Sequence, residues 1–116
     1  MEDALAFCVR DPAAPAVEVR INFGVFTGRN ATQAEIDELA RELNGEVESF
    51  AIVAEERHEF GGSREAALRQ VVIAVPPAYA GPVPSELCGR ILELAERWAE
   101  RCIRDRTDLG ELGSAF

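Results

Sequence analysis

The clearest pattern in the chain is an alternation of apolar and polar residues over positions 17–25, within a segment 17–27 that we predict to be one strand. The apolar positions are Val17, Val19, Ile21, Phe23 and Val25. A period of two predicts a β-strand with one apolar and one polar face. A strand of this kind suits a sheet that is covered on one side only, which favours an antiparallel arrangement.

Three further segments are predicted strands. Residues 4–10 form a short apolar run ahead of a proline-bearing loop. Residues 47–60 carry apolar positions on one face and end at a pair of glycines. Residues 67–75 include the run 71–75, which is apolar at both parities and therefore predicts a strand in the interior of the sheet.

Two helices follow from apolar spacing and from their end signals. Thr32 and Glu35 form a capping box ahead of the first helix, and Asn44-Gly45 ends it. The second helix is predicted to begin at the cap Ser85 and to end near Asp105. Its apolar positions share one stripe, namely Leu87, Ile91, Leu94, Ala95, Trp98 and Cys102.

The element order is β-β-α-β-β-α. A right-handed crossover through the first helix places strand 47–60 parallel to strand 17–27 and one position away from it. Strand 67–75 then fills the gap, and strand 4–10 pairs with the free edge of strand 17–27. The prediction is an α+β two-layer sandwich, with a four-stranded antiparallel sheet and both helices on one face. This is a ferredoxin-like sandwich with its last strand moved to the front.

The second helix is apolar over a wider arc than a sheet contact requires. Cys88, Leu92, Ala99 and Ile103 extend its stripe to roughly 180°, whereas covering a sheet needs about 100°. Either the tail covers the excess through Leu109, Leu112 and Phe116, or a second copy of the chain does. Leu92, Ala99, Ile103 and Phe116 are therefore the candidate interface residues. The open face of the sheet offers a second route to a dimer.

Length and charge limit the function classes. The 116 residues suit a single domain, which we place at residues 1–106, followed by a polar tail at 107–116. The formal net charge is −9, and all 12 basic residues are arginines interleaved with acidic ones. A field of this sign repels phosphate backbones and anionic lipids, so we expect neither nucleic-acid nor membrane binding. A basic protein partner or a small molecule fits the charge.

The three cysteines, Cys8, Cys88 and Cys102, have no metal-binding spacing, and the chain has a single histidine. We therefore expect no metal and no cofactor. Cys88 and Cys102 lie too far apart on one helix to bond to each other. We therefore expect the cysteines to be buried thiols, which suit a reducing compartment. The first residues lack the basic region of a secretion signal, so we expect a cytoplasmic protein.

The densest polar cluster is residues 55–59 at the end of the second long strand. His58 is a candidate acid or base because its ordinary pKa lies near neutrality, and Glu56 shares its side of the strand. Arg57 lies on the other side and is a candidate ligand contact. The competing interpretation is a strand that protrudes past the helices and carries charge to keep its edge soluble.

Two further places are candidate ligand sites. The loop before the first helix offers helix amides together with Arg29, Asn30 and Thr32, which suit a carboxylate or phosphate. A simple capped turn explains the same residues. The polar face of strand 17–27 is expected to carry Arg20, Asn22 and Phe26. One aromatic in an acidic protein does not make an RNA platform.

The sequence contains no nucleophile elbow and no Cys-His signature. We therefore expect a non-catalytic binding or interaction module, acidic and homodimeric, that recognises a protein or a small molecule. One alternative is a cofactor-free enzyme with a pocket at the sheet face or dimer interface and His58 as acid or base. The other is an acidic inhibitor or immunity-type protein for a basic partner. The pattern identifies neither a substrate nor a partner.

Overall fold

A computed structural model describes the backbone of residues 4–9, 17–61 and 64–113. It describes the side chains of the same residues apart from those of 57–61, 64–68 and 105–113. The strands are β1 (Ala6–Val9), β2 (Val17–Ile21), β3 (Ala51–Gly61) and β4 (Arg64–Val75). The helices are α1 (Phe23–Thr27), α2 (Gln33–Asn44) and α3 (Pro84–Gly113), with a short 3-10 turn at Pro77–Tyr79.

The four strands form one sheet in the order β1-β2-β4-β3, and every neighbouring pair is antiparallel. The predicted strand order is therefore confirmed, including the interior position of the strand that is apolar on both faces. Val71, Val72, Ile73 and Val75 are all buried. The α+β sandwich with helices on one face is also confirmed, since α3 packs on β1 and β2, and α2 packs beside α3.

The core lies between the sheet and the helices. Val19, Ile21 and Ile73 supply its sheet side and are fully buried. Trp98 occupies the middle of α3 and is also fully buried, with its ring 5.3 Å from that of Phe23. Each of these large side chains contributes about 1.5–3 kcal/mol when it is removed from water, so this layer dominates the stability of the fold.

The prediction of one strand over 17–27 is wrong beyond Ile21, because the chain turns into α1. The turn keeps Phe23 in the core, as a strand would, but exposes Val25 and Phe26. Gly24 permits the close approach of α1 to the sheet, since a Cβ there would lie 2.5 Å from that of Arg69. Gly28 ends α1 in the left-handed conformation at φ 71°. Phe26 therefore lies on α1 rather than on the polar face of the sheet.

The capping box of α2 is confirmed: Thr32 accepts from the backbone N–H of Glu35, and the Glu35 carboxylate accepts from that of Thr32. The predicted cap at Ser85 is wrong by two positions, because α3 begins at Pro84 and its cap position is Val83. Proline is favoured at a first helical position, where its missing N–H is not needed. The predicted end of α3 near Asp105 is also wrong, since the helix continues to Gly113. Residues 107–113 of the predicted tail thus belong to α3.

The strand predicted over residues 47–60 begins later, at Ala51, because the chain from 45 to 50 forms the connection from α2. The apolar positions predicted on one face of this segment are Phe50, Ile52 and Ala54; the first two pack against the core, whereas Ala54 is exposed. β3 and β4 pair with each other over a much longer stretch than β4 pairs with β2. The pairing with β2 covers only residues Val71–Val75 of β4. The remainder of the β3–β4 hairpin forms an arm that extends past β2.

The expectation of three buried thiols is wrong for two of the cysteines. Cys8 on β1 and Cys88 on α3 form a disulfide, and their Cα atoms are 6.4 Å apart. Cys8 points to the helix side of the edge strand, where the start of α3 crosses it. Cys102 is the third cysteine, and it remains a buried thiol as predicted.

Candidate functional site

The side of the sheet away from the helices carries ten residues whose register places them on one surface. We call this surface the open face; it comprises Phe7, Val9, Glu18, Arg20, Ala51, Val53, Glu55, Gln70, Val72 and Ala74. The described helices all lie on the other side. Phe7 at one edge is 36% exposed, and Val53 near the other is 49% exposed.

Arg20 is the centre of the charged groups on the open face. Its guanidinium donates to Glu18 at 2.9 Å, to Glu55 at 2.5 Å and to Gln70 at 3.0 Å. Burial alone would lower the pKa of Arg20, but the hydrogen bonds to Glu55 and Glu18 outweigh that effect and raise it. The charge of Arg20 is thus held by two carboxylates, and it lies in the middle of the surface rather than at its rim.

A second pair of polar side chains joins this cluster to the edge strand. The Gln70 amide donates to the Oδ1 atom of Asn22 at 2.8 Å, and the Asn22 amide donates to the Ala4 carbonyl at 2.7 Å. The backbone N–H of Asn22 also donates to the Leu5 carbonyl at 2.9 Å. Gln70 and Asn22 are only 5% and 8% exposed. The polar network therefore runs across the sheet, from the chain at β1 to Glu55 on β3.

The sequence prediction named Arg20 but missed Gln70. A single glutamine at the start of an apolar run is the one signal that the sequence offered for it. Asn22 was expected on the polar sheet face, and it lies one residue beyond β2 with both ends of its amide engaged. Among the described side chains, no buried nitrogen or oxygen lacks a hydrogen-bond partner.

The loop before α2 uses its candidate anion-binding groups internally. Arg29 donates to both carboxylate oxygens of Glu35, at 2.7 and 2.8 Å, and its guanidinium lies 5.3 Å from the Phe23 ring. The Thr32 amide donates to the same carboxylate at 2.8 Å. These contacts, with that of Arg29 first, lower the pKa of Glu35 to about 2. Asn30 is exposed beside them, and its carbonyl accepts from Arg29.

This junction also contacts α3. The Trp98 indole donates to the Glu35 carbonyl at 2.9 Å. Cys102 is buried nearby, and its pKa is raised to about 12 by burial and by a hydrogen bond with Glu35. The thiol of Cys102 is therefore protonated at neutral pH and unsuited to nucleophilic attack. These contacts anchor the loop to the helix layer. They agree with the interpretation of the loop as a capped turn, to which Trp98 and Cys102 add further contacts.

His58 lies on the hairpin arm, opposite Ala67 and beyond the residues of β4 that pair with β2. Glu56 and Arg57 precede it on β3, and Glu56 is exposed. The side chains of Arg57 and His58 lie outside the described set. The backbone of His58 lies on the part of the hairpin that extends past β2, away from the centre of the open face.

The candidate interface residues of α3 are mostly used within the chain. Ala99 is 1% exposed and Leu92 packs against the core. Contacts from β1, α1 and α2 cover the wide apolar arc of this helix. Ile103 is half-buried and has a contact of its own, while Phe116 lies outside the described residues. The apolar arc of α3 is therefore a weaker candidate for a dimer contact than the open face.

An open cleft of about 300 Å³ lies between the connection after α2 and the start of α3. Buried Val47 and Leu87 lie below an exposed rim that includes Tyr79 and Arg90. Arg90 is 3.4 Å from the Glu46 carboxylate.

Among the described residues, no group of three or more His, Cys, Asp or Glu is placed to hold a metal ion. In the described part of the chain, no helix combines the length and the apolar character of a membrane span.

Comparison of the chain with protein-family models, with curated proteins and with solved structures finds no match. The ferredoxin-like likeness therefore rests on topology alone and stays a prediction. Any assignment of function has to come from the surfaces described above.

Proposed function

We propose that this protein is a non-catalytic interaction module that binds a second copy of itself through the open face. The observation that carries the proposal is the exposure of Phe7 and Val53 on a sheet surface whose charged groups already pair with one another. An interface that buries this surface buries a guanidinium with two carboxylate partners, and with it one net negative charge on each copy. An unpaired buried charge would cost several kcal/mol, whereas the Arg20 cluster keeps its partners.

The composition of the open face supports self-association. Its apolar members occupy both edges of the sheet, and Val72 between them is 6% exposed. The ionic members alternate in sign from Glu18 to Arg20 to Glu55. A surface with acidic and basic groups side by side suits a two-fold arrangement, in which each copy presents the same patch to the other.

The size of the open face indicates a weak dimer. Four strands spaced by about 4.8 Å, with five residues in β2 at about 3.4 Å each, cover roughly 15 by 17 Å. A standard interface buries about 800 Å² on each partner, which is more than this patch provides. The net charge of −9 adds repulsion between two copies. We therefore expect dissociation constants in the micromolar range or weaker, and a dimer that strengthens as salt screens the repulsion.

Sedimentation velocity over a range of protein and salt concentrations tests the proposal. We expect a reversible monomer–dimer equilibrium that a Val53→Arg substitution on the open face abolishes. Val25→Arg is the matched control, because Val25 is 46% exposed but lies on α1, on the helix side. A monomer at all concentrations, or a dimer that both variants weaken equally, contradicts the proposal. A complex with a basic protein that weakens steeply with salt would instead support the inhibitor alternative.

We propose the cytoplasm as the location of the protein. Disulfides in that compartment are usually transient, and they serve catalysis or redox sensing. The Cys8–Cys88 bond would belong to this class. Alkylation of thiols in intact cells, followed by mass spectrometry, would show whether both bonded and free forms occur there. A bond that is fully formed under all conditions would contradict this location.

A further inference from the structure

The disulfide joins the edge strand of the sheet to the helix layer. Cys8 lies in β1, and Cys88 lies near the start of α3, 80 residues later in the chain. A bond between positions so distant constrains the chain far more than a local one, because it closes a long loop. The sequence pattern did not predict that these two cysteines pair. The dimer proposed above does not account for the bond either.

β1 is a short edge strand that pairs with β2 along its whole length and contacts α3. The strand has four residues and a single neighbouring strand, β2. Its start is held by the two hydrogen bonds that Asn22 donates to the Ala4 and Leu5 carbonyls, and Ala6 is buried in the core. Beyond Ala6, the disulfide at Cys8 is the covalent attachment of the strand to the helix layer.

β1 also contributes directly to the open face. Phe7 and Val9 lie opposite Arg20 and Glu18 on β2, and they form one apolar edge of that surface. Departure of β1 from the sheet would remove Phe7 and uncover the backbone edge of β2. The state of the disulfide is thus linked, through a single short strand, to the completeness of the proposed binding surface.

We propose that the Cys8–Cys88 disulfide is a redox-controlled tie that holds β1 on the sheet when formed and permits its release when reduced. The inference rests on the proposed function, because the surface that β1 completes is the proposed dimer face. In the oxidised protein, β1 stays on the sheet and the open face is complete. In the reduced protein, β1 exchanges between bound and released forms, so the open face is complete only while β1 is bound.

The chemistry is thiol–disulfide exchange with a dithiol reductant. One thiolate of the reductant attacks one sulfur of the pair, forms a mixed disulfide and releases the other cysteine, which takes up a proton. The second thiolate of the reductant then attacks its own sulfur in the mixed disulfide and releases the second cysteine, which is also protonated. The protein gains two electrons and two protons, and the reductant becomes its cyclic disulfide.

Cys102 does not interfere with this exchange. It lies 14 positions after Cys88 on α3, which at about 1.5 Å per residue separates the two by roughly 21 Å. Its thiol is buried, and its hydrogen bond with Glu35 keeps it protonated. Cys102→Ser is therefore a control that changes a cysteine without changing the tie.

Counting thiols is the first step of the test. The protein is equilibrated with excess oxidised glutathione, unfolded, alkylated and weighed by mass spectrometry. We expect one alkylated cysteine, Cys102, and three after treatment with dithiothreitol. In the Cys102→Ser control, we expect none and two. Three alkylated cysteines in the oxidised sample would overturn the proposal, because Cys8 and Cys88 would then not be bonded.

Hydrogen exchange of the β1 amides is the second step, and it does not depend on any binding partner. On reduction, we expect these amides to exchange faster by about tenfold or more, while those of the central strand β4 at Val71–Val75 change little. Oxidised Cys8→Ser should behave like the reduced protein, and oxidised Cys102→Ser like the oxidised wild type. Unchanged exchange in β1 on reduction would overturn the proposal.

Sedimentation of the same samples separates this proposal from the dimer proposal. Faster β1 exchange together with a weaker dimer in the reduced protein supports both. Faster β1 exchange with no dimer in either state supports the tie and contradicts the function proposed above. Protected β1 amides in the reduced protein refute the tie, and the dimer proposal is then judged by the Val53→Arg variant alone.

Discussion

Replacing Gln70 by leucine removes the connection between the two halves of the polar network. Leucine has a similar volume, so the apolar packing around the site is largely kept. The change removes the amide nitrogen that donates to the buried Oδ1 atom of Asn22. It also removes the amide oxygen that accepts a hydrogen bond from Arg20. Arg20 retains its hydrogen bonds to Glu18 and Glu55. The Oδ1 atom of Asn22, by contrast, loses the one donor that the structure describes for it.

The expected loss follows from that one buried oxygen. A buried acceptor left without a partner costs about 1–3 kcal/mol, so we expect the free energy of unfolding to fall by about 2 kcal/mol. With a denaturant slope of about 1–3 kcal/mol per molar urea, the urea midpoint should fall by roughly 1 M. Unfolding is followed by circular dichroism at a protein concentration low enough to exclude the dimer.

Gln33→Leu is the matched control for Gln70→Leu, because Gln33 is exposed and its amide donates to the Asp37 side chain on the same helix. We expect this control to change stability by less than about 0.5 kcal/mol. A double-mutant cycle of Gln70 with Asn22 should give a coupling energy of about 0.5–3 kcal/mol. If Gln70→Leu is no more destabilising than Gln33→Leu, or if the cycle shows no coupling, the reasoning about the network is refuted.

Two further predictions concern the helix layer. Glu35 has a lowered pKa, so its contribution to stability is complete above its ordinary value near 4.5 and is lost as the pH falls towards 2. Urea unfolding at pH 2 to 5 should therefore show a shallower pH dependence in Glu35→Gln than in the exposed-site control Glu100→Gln, and equal slopes would contradict the role of Glu35. Gly24→Ala should lower the thermal midpoint, because the new Cβ meets that of Arg69, whereas Gly89→Ala should raise it by adding a helix-favouring residue in open space. A neutral Gly24→Ala variant would show that α1 can move away from the sheet.

The strand order was predictable because each step followed from a local pattern. The run at 71–75 is apolar at both parities, and that feature, together with the right-handed crossover through the first helix, placed its strand in the interior of the sheet. The capping box at Thr32 and Glu35 fixed the start of α2. The open face was also expected, since strand 17–21 alternates between apolar and polar positions.

The errors came from patterns that two structures satisfy equally well. Phe23 is buried whether the chain continues as a strand or turns into α1, so the alternation carried no information beyond Ile21. The turn into α1 brings Gly24 close to Arg69, and that contact joins residues far apart in sequence. The wide arc of α3 predicted cover by the C-terminal tail or by a second copy, because the contacts that α1 and β1 make with that helix were not foreseen.

The polar network and the disulfide were beyond sequence reasoning for the same cause. Gln70 and Asn22 are separated by 48 positions, and Cys8 and Cys88 by 80. Spacing arguments apply within one helix or one strand, and they say nothing about partners that only the fold brings together. Three cysteines allow three different pairs, and the sequence excluded only the pair of Cys88 with Cys102.

The central claim is that the open face associates with a second copy, and methyl relaxation tests it most directly. A soluble paramagnetic agent is added to protein below and above the concentration at which the dimer forms, and relaxation of the valine methyls is measured by NMR. We predict that Val53 loses its exposure to the agent at high concentration, while Val25 and Val83, also exposed in the monomer, keep theirs. Unchanged relaxation of Val53, or protection of Val25 and Val83 instead, would contradict the account.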